Sequence, residues 1–298
     1  MAKIGRWKSE AARDAYLKAY ASLSNLWTVP FTEFDVETSY GTTHLRKCGT
    51  GSGAPLVLIP PVMGNGAVWY PIIERLAAQR TVYALDIIGG PGLSVQTKAI
   101  TGRADYAIWL DETLAALELP HAHVMGYSDG AWRAFMAGVD GSERISSLLL
   151  VEPGGAVGKT PWRVLFKMIR YAIPPSERNM RRAAEWLMPG NIPVDEEMAC
   201  AKAGLGYRTR SPWPQCLKDE ELQSITAPTL LIYGAESVLG NAETAAARAR
   251  QQIPHCEVEI YPGATHGLLF QGRDKEAVLN RILSFATAHD PAEVLHTD

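Results

Sequence analysis

The sequence predicts an α/β fold: a mostly parallel central sheet with helices on both faces and a helical lid inserted before the penultimate strand. Three observations predict it. Six short, apolar, β-branched-rich runs recur along the chain: PLVLIP (55–60), TVYALDI (81–87), HAHVMGYS (121–128), SSLLLVE (146–152), TLLIYG (229–234) and CEVEIY (256–261). A strand apolar on every residue is buried on both faces, the condition of a parallel sheet. Amphipathic helical stretches lie between these runs, at 68–79, 104–118, 130–138, 242–252 and 273–288, which is the alternation of a layered α/β domain. The third observation is a break in that alternation. Residues ~155–225 carry no strand-like run but several helix-like pieces rich in Trp, Met, Arg and Pro, such as PWRVLFKMIRYAI and RRAAEWLMPG.

Taken in order, residues 5–24 read as an amphipathic helix with Ala12, Tyr16, Ala19 and Tyr20 at helical spacing. Two β-type runs, 31–38 and 43–48, are joined by Ser39-Tyr40-Gly41-Thr42, the residue chemistry of a hairpin turn. The strand–helix alternation follows, and the insertion divides it. The expected organisation is a core of 1–154 and 226–298 interrupted by a helical cap at 155–225. No repeats or low-complexity tracts occur.

Composition narrows the function classes. With 298 residues and 47% hydrophobic content, the chain can bury a large core. Lys plus Arg number 29 and Asp plus Glu 32, a net charge of −3. That balance gives no reason to expect a nucleic-acid partner or a membrane-bound protein. No window approaches the ~20 apolar residues of a spanning helix. The amino-terminal stretch MAKIGRWKSEAARDAYLKAY is charged throughout and lacks a signal-peptide core. Cys48, Cys200, Cys216 and Cys256 are scattered, with no CxxC or zinc-ligand spacing. The expectation is a reduced, cytoplasmic protein without metal or cofactor, its partner a small-molecule ester substrate, with a homodimer left open.

The chemistry-bearing motif lies in His123-Val124-Met125-Gly126-Tyr127-Ser128-Asp129-Gly130-Ala131-Trp132, which contains G-x-S-x-G. A strand-like run precedes it and a small-residue helix follows, the context the motif requires. A sharp strand-to-helix turn strains the serine and lifts its hydroxyl above the sheet, while the glycines remove side chains that would collide. A serine needs a base, oriented in turn by an acid. His266, in Tyr261-Pro262-Gly263-Ala264-Thr265-His266-Gly267 after the last strand, is placed to reach back over the sheet.

These features resemble α/β-hydrolase-fold serine hydrolases, near the carboxylesterases that share a G-N-x-x-x-W-Y-P stretch. Here that stretch is Gly64-Asn65-Gly66-Ala67-Val68-Trp69-Tyr70-Pro71, followed by ALDIIGGPGLS (84–94). The resemblance covers residues ~30–155 and ~225–288. It implies an oxyanion hole built from the N–H groups of Asp129 and Val62. Pro60-Pro61 stands where the family has His-Gly, but a proline at 61 removes no required donor. The resemblance also places the acid about three residues beyond Gly234, where this chain has Ser237, with Glu236 one residue earlier. Glu236 is the first choice for the acid. Glu152, at the end of SSLLLVE, is the alternative, a location also used in this fold.

Other candidates are weaker. GTGSGA (49–54) leads into a strand instead of opening a helix, so it is not a dinucleotide fingerprint. Asp86 ends a strand and is expected to fix the following loop. His121 and His123 form an HxH without a nearby third ligand. An aspartate nucleophile at Asp129 is excluded by register. The cap sets Trp162, Phe166, Met168, Trp186, Leu187, Met188 and Trp213 among Arg163, Lys167, Arg170, Arg178, Arg181 and Arg182. Its basic face is either solvated or lies at the mouth of an apolar pocket suited to a bulky or weakly acidic ester. The expected reaction is serine-dependent hydrolysis of a small or medium-sized apolar carboxylic ester through an acyl-enzyme. The alternative is a repurposed member of the same fold: a non-hydrolytic cyclase or lyase, an acyltransferase or a ligand-binding protein.

Overall fold

The computed structural model describes residues 4–173, 176–191, 193–210, 212 and 214–292. The chain opens with β1 (Arg6–Trp7), α1 (Glu10–Ser24), β2 (Phe31–Thr38), β3 (Gly41–Cys48) and β4 (Leu56–Ile59). A 3₁₀ turn (Gly66–Trp69), α2 (Ile73–Ala77), β5 (Val82–Leu85), β6 (Val95–Gln96) and α3 (Arg103–Ala116) follow. Then come β7 (Ala122–Tyr127), α4 (Asp129–Val139) and β8 (Ile145–Val151). The segment between β8 and β10 contains α5 (Trp162–Ala172), α6 (Glu177–Leu187), α7 (Asp195–Gly204), β9 (Tyr207–Arg208) and α8 (Asp219–Gln223). β10 (Thr229–Gly234), α9 (Ala242–Gln252), β11 (Cys256–Tyr261) and α10 (Lys275–Ala288) complete the chain.

The main sheet runs β11-β10-β8-β7-β4-β5-β3-β2, with β6 pairing to β3. Every pair from β5 to β11 is parallel, while β2 and β3 are antiparallel. The apolar runs now have a physical account. Along β4, Val57 and Ile59 enter the core beneath α3 and α4, whereas Leu56 and Leu58 enter the one beneath α2 and α10. β8 and β10 divide in the same way, Leu148, Leu150 and Leu231 to one face and Leu149, Val151 and Ile232 to the other. A strand serving two cores has no side left for polar residues.

Two departures from the expected elements have local causes. The first helix begins at Glu10 because Arg6 and Trp7 pair with Arg208 and Tyr207 of β9. That two-residue pairing is too short to register as a hydrophobic period. The Ser9 side chain then caps α1 by accepting from Ala12 N–H. The single helix expected at 68–79 is split into the 3₁₀ turn and α2, with Pro71 between them, where a proline cannot continue a hydrogen-bonded turn.

Behind the sheet, residues far apart in sequence close a buried polar clasp. Arg80 donates to both carboxylate oxygens of Asp290 at 2.7 Å. Asp290 Oδ1 also accepts from Ala54 N–H at 2.8 Å and faces His123 Nε2 at 3.1 Å. The other His123 nitrogen meets the Ser147 hydroxyl at 2.8 Å. His123 is thereby a structural histidine of the sheet, and no metal-binding cluster of His, Cys, Asp and Glu occurs among the described residues.

Candidate active site

The carboxyl ends of β4, β7, β8 and β10 converge on one edge of the sheet, where parallel α/β folds place their sites. Ser128 sits between β7 and α4 with φ 56° and ψ −120°, a conformation costly for a residue with a side chain. The two motif glycines make the turn feasible. A Cβ on Gly126 would lie 2.4 Å from Gly130 O, and one on Gly130 would lie 2.1 Å from Ile59 O. The elbow is therefore pressed directly against the end of β4. Asp129 opens α4, and its carboxylate is engaged by Arg133 at 2.7 Å, which leaves the aspartate side chain in a structural role.

His266 lies in the turn after β11 and is buried. Its Nε2 is 3.1 Å from Ser128 Oγ and its Nδ1 is 2.8 Å from Glu152 Oε2. The structure brings Ser128, His266 and Glu152 into one hydrogen-bonded line. It does not bring Glu236 there: that residue is exposed, and its carboxylate makes no hydrogen bond among the described residues. Backbone geometry explains the difference. β8 and β10 are parallel neighbours, with Val151 beside Ile232. Glu152 extends that ladder, its N–H donating to Ile232 O at 2.8 Å, and it adopts the left-handed φ of 52°.

The chain after β10 is shaped to receive that carboxylate. Gly234 N–H donates to Glu152 Oε1 at 2.6 Å, and the Ser237 hydroxyl donates to Oε2 at 2.5 Å. A side chain at Gly234 would collide with Ala264 O at 2.4 Å. Sequence reasoning assigned no role to Ser237 or to the Gly234 N–H; a serine where the resemblance expects an acid was the available signal. Tyr127 was also missed. Its hydroxyl donates to His266 O at 2.7 Å, and its ring packs 5.1 Å from the imidazole. Burial, and secondarily the Glu152 charge, pushes the Tyr127 phenol well up, so it serves as a neutral donor.

The segment after β4 forms a tight turn in which Gly64 N–H donates to Pro61 O at 2.9 Å and Met63 takes φ 60°. Among the described residues, the N–H groups of Val62 and Asp129 make no hydrogen bond. Asp86 anchors the neighbouring loops: its buried carboxylate accepts from Gly66 N–H at 2.6 Å and Leu93 N–H at 2.7 Å.

Above the turn lies a cavity of about 480 Å³, bounded by Val62, Tyr127, Leu187, Met188 and Phe270 among others. Residues of α6 and α7 form its upper wall. No arginine or lysine is among the described residues that line this cavity, which bears on the two readings of the basic face. Arg170, Arg181 and Arg182 line a separate groove of about 600 Å³ with Tyr171 and Trp186, because α6 turns Met180, Ala184 and Leu187 toward the cavity and its arginines outward. Trp162 and Phe166 are exposed; Trp213 lies outside the described residues.

The alpha/beta hydrolase fold family matches residues 54–187. Carboxylesterase YbfK of Bacillus subtilis (strain 168) is 27% identical over 91% of this chain and 93% of its own length. Among solved structures, naproxen esterase (carboxylesterase NP) from Bacillus subtilis superposes with a TM-score of 0.84 at 26% identity, covering 91% of this chain and 97% of the other. Carboxylesterase CesB (YbfK) from Bacillus subtilis superposes with a TM-score of 0.83 at 25% identity, covering 93% and 99%. The chain has the α/β-hydrolase fold and is carboxylesterase-like. Ser128, Glu152 and His266 follow one another along the chain in the order in which this fold places nucleophile, acid and histidine. No helix among its described residues is long and apolar enough to cross a membrane.

Proposed function

We propose that the chain hydrolyses carboxylic esters with Ser128 as nucleophile, His266 as general base and Glu152 as the acid that orients it. The observation that carries this reading is the unbroken relay from Ser128 Oγ through His266 to Glu152, at 3.1 and 2.8 Å. His266 takes the Ser128 proton on Nε2 as Oγ attacks the ester carbonyl. Glu152 stays ionised, holds the proton on Nδ1 and stabilises the imidazolium. The N–H groups of Asp129 and Val62 receive the developing oxyanion, the first reinforced by the amino terminus of α4. The imidazolium then protonates the departing alcohol. Water deprotonated by His266 attacks the acyl-enzyme, and the acid product leaves.

In this reading the segment 155–225 is the lid of the substrate cavity, and the apolar lining supports small or medium-sized apolar esters as substrates. The four free thiols support the cytoplasm as the compartment. The test is covalent labelling with a fluorophosphonate. The expected result is one adduct on Ser128 that disappears in Ser128→Ala; a folded wild-type protein left unlabelled refutes the reading.

A further inference from the structure

The basic residues of the inserted segment do not reach the cavity, so its charge is set by another residue. Among the described residues that line it, Glu197 is the one charged side chain. It sits on the first turn of α7, half-buried in the cavity wall. Glu197 Oε2 accepts from Val194 N–H at 3.1 Å, and Oε1 accepts from the Tyr70 hydroxyl at 3.2 Å. No cation pairs with it: its hydrogen bonds are to a backbone amide and a phenol. Two bonds leave lone pairs of the carboxylate free. The rest of the wall is apolar or neutral, including Val62 at the oxyanion turn and Met198 beside Glu197.

We propose that Glu197 is a specificity residue that makes the cavity reject esters carrying a second, ionised carboxylate and accept uncharged ones. An anion brought within several ångströms of an unpaired carboxylate in a low-dielectric wall is repelled, with nothing on that wall to neutralise it. Burial raises the Glu197 pKa, opposed by the Val194 and Tyr70 hydrogen bonds, with Glu196 adding to the rise; measurement at pH 8, above the ordinary carboxylate range, favours the ionised form. A wholly structural role is also written into its position, since its carboxylate accepts from Val194 N–H at the start of α7. The two roles separate in Glu197→Gln: its amide oxygen can still accept from Val194 N–H while its NH₂ faces the Tyr70 hydroxyl, which rotates to accept, so the cap is kept and the charge is removed.

This inference rests on the proposed ester site but is tested without turnover. In a Ser128→Ala background, dimethyl suberate and its half-ester, monomethyl suberate, are titrated at pH 8 and followed by calorimetry. The diester is expected to bind about tenfold tighter or more than the half-ester, the size of a moderate charge repulsion near a protein surface. In Ser128→Ala/Glu197→Gln the ratio is expected to fall to within about threefold. A ratio unchanged by Glu197→Gln, or no binding of either compound, overturns the assignment. Turnover of the diester by the wild-type chain reports separately on the hydrolase reading.

Discussion

Replacing Glu152 by Gln removes one negative charge and little else, and the surrounding donors dictate the result. In the native site Oε1 faces Gly234 N–H at 2.6 Å, and Oε2 faces both His266 Nδ1 at 2.8 Å and the Ser237 hydroxyl at 2.5 Å. An amide has one acceptor end and one donor end. Its NH₂ cannot face Gly234, whose amide is a fixed donor, without two donors in collision. It therefore turns toward His266 and Ser237, where the serine hydroxyl can rotate to accept. The imidazole must then accept on Nδ1, which forces its proton onto Nε2. That is the tautomer that cannot take a proton from Ser128. Tautomer reversal combined with loss of imidazolium stabilisation is expected to lower kcat by about 10³–10⁴, or roughly 4–5.5 kcal/mol of transition-state stabilisation. The assay is steady-state hydrolysis of 4-nitrophenyl butyrate, with Tm measured to show that the variant is folded. Glu236→Gln, at an exposed position, is the control and is expected to stay within about twofold. A folded Glu152→Gln variant retaining more than a tenth of wild-type kcat, or a Glu236→Gln variant equally impaired, refutes the argument.

The remaining expectations use the same geometry. Because the Ser237 hydroxyl already touches the Glu152 carboxylate, Ser237→Asp introduced into Glu152→Ala is expected to recover at least about tenfold in kcat over Glu152→Ala alone; no recovery in a folded double variant shows that position 237 cannot reach the histidine. Gly130→Ala would drive a Cβ to 2.1 Å from Ile59 O and 2.5 Å from Pro60 O, so it is expected to cost about 2 kcal/mol or more and to depress kcat by displacing the Val62 turn. Wild-type Tm and kcat in that variant contradict the account. Burial holds the His123 imidazole down at a pKa of about 4, against about 6.5 in an unfolded chain. Between those values the unfolded state binds more protons, so stability is lost as pH falls through that window, by up to about 3 kcal/mol. His123→Gln, which can still donate to Asp290 and accept from Ser147, should flatten the Tm–pH profile between pH 6.5 and 4; an unchanged slope assigns it to other groups.

Sequence reasoning singled out Ser128 and His266, which the fold brings within hydrogen-bond distance, because both are announced by their neighbours, glycines whose absent side chains permit a specific turn. The carboxylate partner of His266 carries no such local signature. β8 and β10 lie side by side, so residues just past either strand arrive near the same imidazole, and spacing along the chain does not separate them. What separates them is the left-handed φ of Glu152 and the open amide of Gly234, both products of tertiary packing. The cap shows a similar limit. Its excess of arginine is plain in the sequence, but the direction those arginines face depends on how α6 is rotated about its axis. Met180, Ala184 and Leu187 face the cavity, and the arginines on either side are carried away from it. Composition alone left open whether those arginines face solvent or the mouth of the pocket.

The clasp behind the sheet bears on how the chain is made. Ala54, Arg80 and His123 belong to the first half of the sequence, and all three are satisfied by the carboxylate of Asp290. During synthesis the early strands emerge long before that aspartate exists. Until it arrives, a guanidinium that is almost wholly enclosed in the finished protein has no counter-ion, and burying it alone is strongly unfavourable. Closure of the central strands should therefore wait for the last helix, and nascent chains halted short of residue 290 should remain protease-sensitive even though nearly every candidate site residue and core residue has already been translated.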